Sequence, residues 1–229
     1  MEACDEILVE YLSGFVTPKR FELFESVIAE RTRYMTVLLE DIYQSQNASA
    51  VLRTCDCVGI QDVHIVEESN RYEINPDVSL GSNQWLTMYY YNEGGRNIGR
   101  AVDELKARGY RIVATSPHVK GTTPENFDLG KGKFALVFGT ELSGLSDRAL
   151  ELAEEYIQIP MVGFTESYNI SVSAALLLYS LRKRLEGSGI DWKIAREERT
   201  PVLLSWLRSS IRMSEQIERK FREERGLDY

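Results

Sequence analysis

Cysteine and histidine are scarce in this chain of 229 residues, which holds three of the first and two of the second. Cys4, Cys55 and Cys57 have neither the count nor the spacing of a disulfide framework, and His64 and His118 are too few to complete a structural metal site with them. No bound metal is expected. Long apolar runs are also missing. The stretch AALLLY at 174–179 is far too short to cross a bilayer, and no basic segment leads into an apolar one at the start. A cytoplasmic protein without membrane contact is therefore expected. The nucleotide signatures are absent as well: no G-x-G-x-x-G follows a strand, and neither G-x-x-x-x-G-K-[ST] nor G-x-S-x-G occurs. Dinucleotide enzymes, NTPases and α/β-hydrolases are thereby disfavoured. Gly139 and Gly144 in FGTELSGLS have the spacing of a phosphate loop, but Leu145 stands where lysine is needed.

An excess of positive charge is lacking too. The formal charge of -8 argues against a chain that coats itself in nucleic acid. The balance is uneven, because residues 182–229 carry 12 basic and 9 acidic side chains, leaving -11 for residues 1–181. Any RNA contact then rests on local patches, of which Arg182, Lys183 and Arg184, and Arg31 with Arg33, are the candidates. The charged run Glu215–Arg225 reads first as a solvated helix laced by i,i+4 pairs.

What is present is a 43% hydrophobic content, enough for one sizeable core. Helix Phe21–Arg33 is expected first, and then strands and helices alternate. Strand Thr36–Ile42 leads to a helix from Asn47, followed by strands Asp62–Glu67 and Leu86–Tyr91. Helix Ile98–Arg108, strands Tyr110–Thr115 and Phe134–Phe138, and helix Asp147–Glu154 come next. A last strand holding Ile157, Ile159 and Met161 runs into a helix capped by Asn169 or Ser171. This alternation predicts an α/β fold with a parallel sheet covered on both faces. Cys55 shares a stripe with Ala48, Val51, Leu52 and Val58 and is expected in the core. The loops Asn70–Gln84 and Pro117–Lys133 are long and polar, which favours functional use. Gly187, Ser188 and Gly189 mark a break before a helical end, expected over Pro201–Glu224.

Three segments share one grammar, a strand that ends on small or polar residues and passes into a helix. They are TVLLEDIYQSQNASAVLRTCDCVGI (36–60), FALVFGTELSGLSDRAL (134–150) and IQIPMVGFTESYNISVSAALLL (157–178). Together, and in this order, they resemble the three motifs of the SPOUT superfamily of RNA methyltransferases, and within it the TrmH-type tRNA/rRNA 2'-O-ribose methyltransferases. The resemblance covers roughly Thr36–Glu186. It implies a methyltransferase domain over 36–186 whose C-terminal part forms a trefoil knot (an α/β-knot), with helical extensions over 1–35 and 187–229. It further implies a homodimer that packs through the knot helices, here 169–185, and S-adenosylmethionine as cofactor. Around that cofactor it would place Thr115 and Ser116, then Phe138, Gly139, Glu141 and Gly144, then Ile159, Met161, Ser167, Asn169 and Ser171. The substrate implied is tRNA at a D-loop guanosine, with ribosomal RNA second.

The same resemblance makes Arg53 the central catalytic residue, because an asparagine followed six residues later by an arginine matches Asn47 and Arg53. Arg53 lies one residue off the apolar stripe of its helix, so its guanidinium is expected to project outward. It would act on the ribose 2'-hydroxyl and adjoining phosphate, either as the base or as a cation that orients the phosphate and stabilises developing negative charge. Asn47 reads as a helix cap or as a site residue. Glu141 reads as a partner of Arg53 or a loop anchor, and Ser167 and Asn169 as positioners of ribose or cofactor. The chain departs from tRNA-methylating members at Gln46, Leu142, Ser143 and Glu166, which bears on the choice of RNA. Two other readings remain: a knot protein that binds RNA without catalysis, and a small-molecule methyltransferase, which the negative charge would suit.

Overall fold

The computed structural model describes residues 2–70, 76–79, 81–141 and 143–226, the side chains of residues 2–4, 76 and 77 excepted. Leu142, the Cys4 side chain and part of the expected loop Asn70–Gln84 lie outside the described residues. The chain forms two compact units, one of Thr32–Trp192 and the other of the two chain ends, up to Arg31 and from Lys193.

The elements run α1 (Glu2–Ser13), α2 (Pro18–Ile28), β1 (Met35–Glu40), α3 (Ser45–Cys57), β2 (Asp62–Val66), α4 (Pro76–Ser79), β3 (Thr87–Tyr91), α5 (Asn97–Ala107) and β4 (Arg111–Thr115). They continue with β5 (Phe134–Phe138), α6 (Asp147–Leu152), β6 (Glu155–Ile157), α7 (Ile170–Glu186), α8 (Arg196–Ser210) and α9 (Ser214–Arg225). Six parallel strands lie side by side in the order β3-β2-β1-β5-β4-β6. In β1, β2 and β5 every residue is buried, the pattern of a sheet covered on both faces. Alternate side chains divide the core. Val37, Leu39, Leu136 and Phe138 pack with Val51, Leu52 and Cys55 of α3 and with Leu177 and Leu181 of α7. Leu38, Ala135 and Val137 pack on the other face with Ile98, Val102 and Leu105 of α5 and Ala149 of α6. The expected α/β class and the core position of Cys55 are therefore found, and no described helix is long and apolar enough to cross a membrane.

The strand order positions the site. The chain steps outward from β1 to β2 and β3, then returns to lay down β4, and β5 fills the place between β1 and β4. Where an open parallel sheet reverses direction, the loops beyond the carboxyl ends of its strands part and leave a crevice.

One buried group makes stability depend on pH. His64 on β2 is 1% exposed and stacks on Tyr89, with its Nδ1 3.0 Å from the Tyr91 hydroxyl. Tyr91 donates its one proton to Glu104 at 2.9 Å, so His64 must be the donor, from Nδ1, in the first bond. Burial, aided by the charge of Arg108, pushes His64 down to about 3. An unfolded chain would titrate near the ordinary value, so stability is complete above it and is lost as pH falls from there toward the folded value. Urea melts between pH 6 and pH 4 are expected to show a loss of up to about 1.4 kcal/mol per pH unit that His64→Gln abolishes. Identical slopes in the two proteins would remove His64 from the acid response.

Element ends differ from expectation for local reasons. The first helix begins at Pro18 rather than Phe21, because the Thr17 hydroxyl accepts the Arg20 N–H and proline suits the first helical position; α1 precedes it. The C-terminal helix starts at Arg196, where Glu197 and Glu198 suit its first turn. It is two helices rather than one, broken at Met213 in the left-handed region (φ 62°). Arg208 and Glu218 close that bend with bonds of 2.9 and 2.7 Å. The last strand ends at Ile157, where it was expected to begin, so Ile159 and Met161 lie in the following loop.

Candidate active site

The loops leaving β4, β5 and β6 enclose a cavity of about 370 Å³, a size that suits a small molecule. Its walls include Thr115, Ser116 and His118 after β4, and Phe138, Gly139, Glu141, Gly144 and Leu145 after β5. Ile159, Met161, Glu166, Ser167 and Tyr168 after β6 complete them, with Ser173 and Leu177 of α7 behind. Of the cofactor residues expected from the sequence, all line this cavity except Asn169 and Ser171, which stand at the start of α7. The loops are tied to one another. The Thr115 hydroxyl donates to the Val137 carbonyl at 2.8 Å, and the Ser116 N–H donates to the Ile157 carbonyl at 3.2 Å.

The loop after β5 folds tightly on itself. Thr140 and Gly144 exchange N–H to carbonyl bonds of 2.9 and 3.0 Å, and the Ser143 N–H donates to the Thr140 hydroxyl at 3.1 Å. Gly144 adopts a φ of 70°. A Cβ on Gly139 would stand 2.2 Å from the Gly144 carbonyl oxygen, so glycine is required for the two backbones to meet.

One side-chain amide joins all three segments singled out in the sequence. The Asn169 NH2 donates to Asn47 Oδ1 at 3.2 Å and to Glu141 Oε1, while its oxygen accepts the Ser171 N–H at 2.9 Å and thereby caps α7. Asn47 is not the cap of its helix. Gln44 holds that position, Asn47 lies three residues in, and its NH2 donates to the Gln44 side chain at 2.9 Å. Of the two readings of Asn47, the structure therefore leaves the contact with Asn169. Ser167 is exposed on the cavity rim. Arg53 projects to solvent from α3 as expected and, among the described residues, makes no hydrogen bond or ion pair; it is not part of the cavity wall.

The other basic candidates need correction. Arg31 is 1% exposed, with its guanidinium 5.2 Å over the Trp206 ring. Arg182 is 6% exposed, lies 3.6 Å over Trp192 and donates to the Val58 carbonyl. Arg33 bonds Asp62 at 3.1 Å, and Arg184 donates to the carbonyls of Pro124 and Phe127. Lys183 alone of the five is exposed, and it pairs with Glu186 at 2.8 Å. Guanidinium planes stack readily on indole and bury their stems, so these side chains serve packing rather than a phosphate patch.

The cavity chemistry suits a methyl donor of the sulfonium type. Phe138, Ile159, Met161 and Leu177 give an apolar slot, and Ser116, Ser167 and Ser173 add hydroxyls. Glu141 and Glu166 supply negative charge toward a cationic group, while His118 is the one basic side chain in the wall among the described residues. Sequence reasoning missed His118, Leu145, Tyr168 and Leu177 as wall residues. The apolar character of Leu145 and Leu177 offered no signal, and His118 was weighed only as a metal ligand.

Comparison with known proteins identifies the family. The SpoU rRNA methylase family matches residues 34–179. A tRNA (guanosine(18)-2'-O)-methyltransferase of Borreliella burgdorferi is 44% identical over 216 residues, covering 93% of this chain and 97% of that one. The enzyme of the same description from Thermus thermophilus is 34% identical over 194 residues, or 84% of this chain and 97% of its own. Among solved structures, the TrmH/SpoU tRNA modifying enzyme of A. aeolicus superposes with a TM-score of 0.74 at 28% identity, covering 85% of this chain and 98% of that one. Sheet, cavity and the Asn47–Asn169–Glu141 contact all fall within the matched span, and the chain belongs to the SpoU methylase family.

Proposed function

We propose that this protein transfers a methyl group from S-adenosylmethionine to the 2'-oxygen of a D-loop guanosine in tRNA. The observation that carries the reading is the Asn169 amide that bridges Asn47 and Glu141 beside the cavity. The tRNA assignment draws on the 44% identity to the Borreliella enzyme over nearly its whole length.

Bound S-adenosylmethionine supplies an electrophilic methyl on a positively charged sulfur. Gly139 would let the backbone approach it, Ile159 and Met161 would border its adenine, and Glu141 with Glu166 would balance its charge, all five being wall residues of the cavity. Thr115, Ser116, Phe138, Gly144 and Ser167 complete the pocket, with Asn169 and Ser171 at its edge. The task left to the protein is to present a hydroxyl that is barely acidic in line with the methyl. Arg53 would do this as a cation, gripping the phosphate beside the ribose and stabilising charge that develops on the 2'-oxygen, whose proton passes to water as the O–CH3 bond forms and the S–CH3 bond breaks. A guanidinium loses its proton only far above neutral pH, which weighs against its acting as base.

The proposal includes the family's knotted arrangement, in which the chain after β6 threads through the loop before it, and a division into a methyltransferase domain at 36–186 with helical extensions on either side. It also includes a homodimer in the cytoplasm. Val172, Leu176 and Tyr179 lie on one stripe of α7 and are 44%, 44% and 60% exposed, an apolar strip of the kind that a second copy covers. Arg53 then reaches a cavity from the partner side.

The test is incubation of the full chain with labelled methyl donor and total RNA, followed by nucleoside mapping. Label on 2'-O-methylguanosine of tRNA is the expected result. Label confined to ribosomal RNA would replace the substrate, and label in no RNA would overturn the activity.

A further inference from the structure

The carboxylate of Glu40 has no part in the arrangement above, yet it is bound to it. Glu40 ends β1 and is 4% exposed. The register of β1 and β5 sets Leu39 against Phe138, so Glu40 lies beside Gly139, where the cavity loop leaves the sheet. Glu40 Oε2 accepts the Ser146 N–H at 2.9 Å and Oε1 accepts the Ser146 hydroxyl at 2.6 Å. That hydroxyl in turn accepts the Ala149 N–H at 3.1 Å and caps α6. One carboxylate thus grips the far end of a loop whose middle is closed by the Thr140–Gly144 pair. Burial pushes the Glu40 carboxyl above the usual range; the Ser146 bonds lower it, and Asp41 and Glu68 raise it further. A buried acid beside two others is costly to keep, and an uncharged residue of like shape would serve a purely structural joint.

We propose that Glu40 is a positioning residue for the methyl donor: by holding Ser146 it fixes the loop 139–146 against β1 and so sets the cavity wall on which the donor rests. This inference rests on the function proposed above and deepens it.

In the full-length protein, Glu40→Gln is expected to weaken binding of S-adenosylmethionine about tenfold by calorimetry and to raise the donor KM alike, leaving the tRNA KM within about twofold. Ser146→Ala should give the same split, and Ser146→Thr, which keeps the hydroxyl, should restore the affinity. A joint that only supports the fold would lower the melting temperature without moving the Kd of the folded protein. An unchanged Kd in Glu40→Gln or Ser146→Ala therefore overturns the proposal. Should Glu40→Gln fail to fold, the two Ser146 variants decide, since in them the carboxylate keeps its bond to the Ser146 N–H. Wild-type protein that binds no donor would instead overturn the proposed function, so the two failures are distinct.

Discussion

Arg53→Ala is expected to lower methyl transfer to tRNA about a thousandfold while leaving the affinity for the methyl donor unchanged. The side chain stands off the cavity wall and, among the described residues, has no partner whose loss would disturb the fold. Its removal should therefore cost only the contact proposed with the reacting RNA. Arg53→Lys keeps the charge but loses the planar fork that would grip two phosphate oxygens, and an intermediate loss of about thirtyfold is expected. The measurement is single-turnover methyl transfer at saturating RNA. Near-full turnover by Arg53→Ala would eliminate this residue as base and as stabiliser together. The same variant tests the shared site. Asn169→Ala should also be poorly active, because it removes the bridge to Asn47 and Glu141. If Arg53 serves the partner's cavity, mixing the two inactive chains yields dimers with one intact site, recovering about a quarter of the wild-type rate. No recovery on mixing would place arginine and cavity in one chain.

Gly139→Ala should have the second largest effect. The new methyl would meet the Gly144 carbonyl oxygen at 2.2 Å, its carbon at 2.3 Å and the Leu145 nitrogen at 2.5 Å. These are backbone atoms, unable to swing aside as a flexible side chain would, so the 139–146 loop must move. A shift of this kind costs about 3 kcal/mol. Donor affinity should fall at least about a hundredfold, since the moved atoms form the cavity wall. Gly163→Ala is the control, because a Cβ there meets nothing within 4 Å. Thermal melts and donor titrations of both variants check the claim; a Gly139→Ala protein that matches Gly163→Ala in each would refute the close backbone approach.

Much of the site was legible because its signals are local. Small polar residues before an apolar helix offered Asn169 or Ser171 as its cap, of which Asn169 holds the position, and strands ending in small polar residues announced the loops that enclose the cavity. What escaped depends on partners far along the chain. Arg31 and Arg182 were read as surface charges, the default for arginine, but indole rings at Trp206 and Trp192 cover them. Glu40 gave no sign in its own segment, because Ser146 lies 106 residues away. Asn47 misled for the opposite reason: its type suits a cap, yet Gln44 precedes it in the extended conformation that begins α3. The break at Met213 was hidden because Ser214–Arg225 has unbroken helical composition, and the bidentate contact of Arg208 with Glu218 that spans the bend leaves no local signal.

The central place of β5 has a consequence for how the protein is made. On one side β1 can pair with β2 soon after synthesis, but Met35 finds its neighbour on the other side only at Phe134. Until then an apolar strand emerging early from the ribosome presents a bare row of N–H and carbonyl groups, an invitation to pair with other nascent chains. Acquisition of the native state should be slow and paced by delivery of Phe134–Phe138, with chaperone demand concentrated in the interval between the two strands.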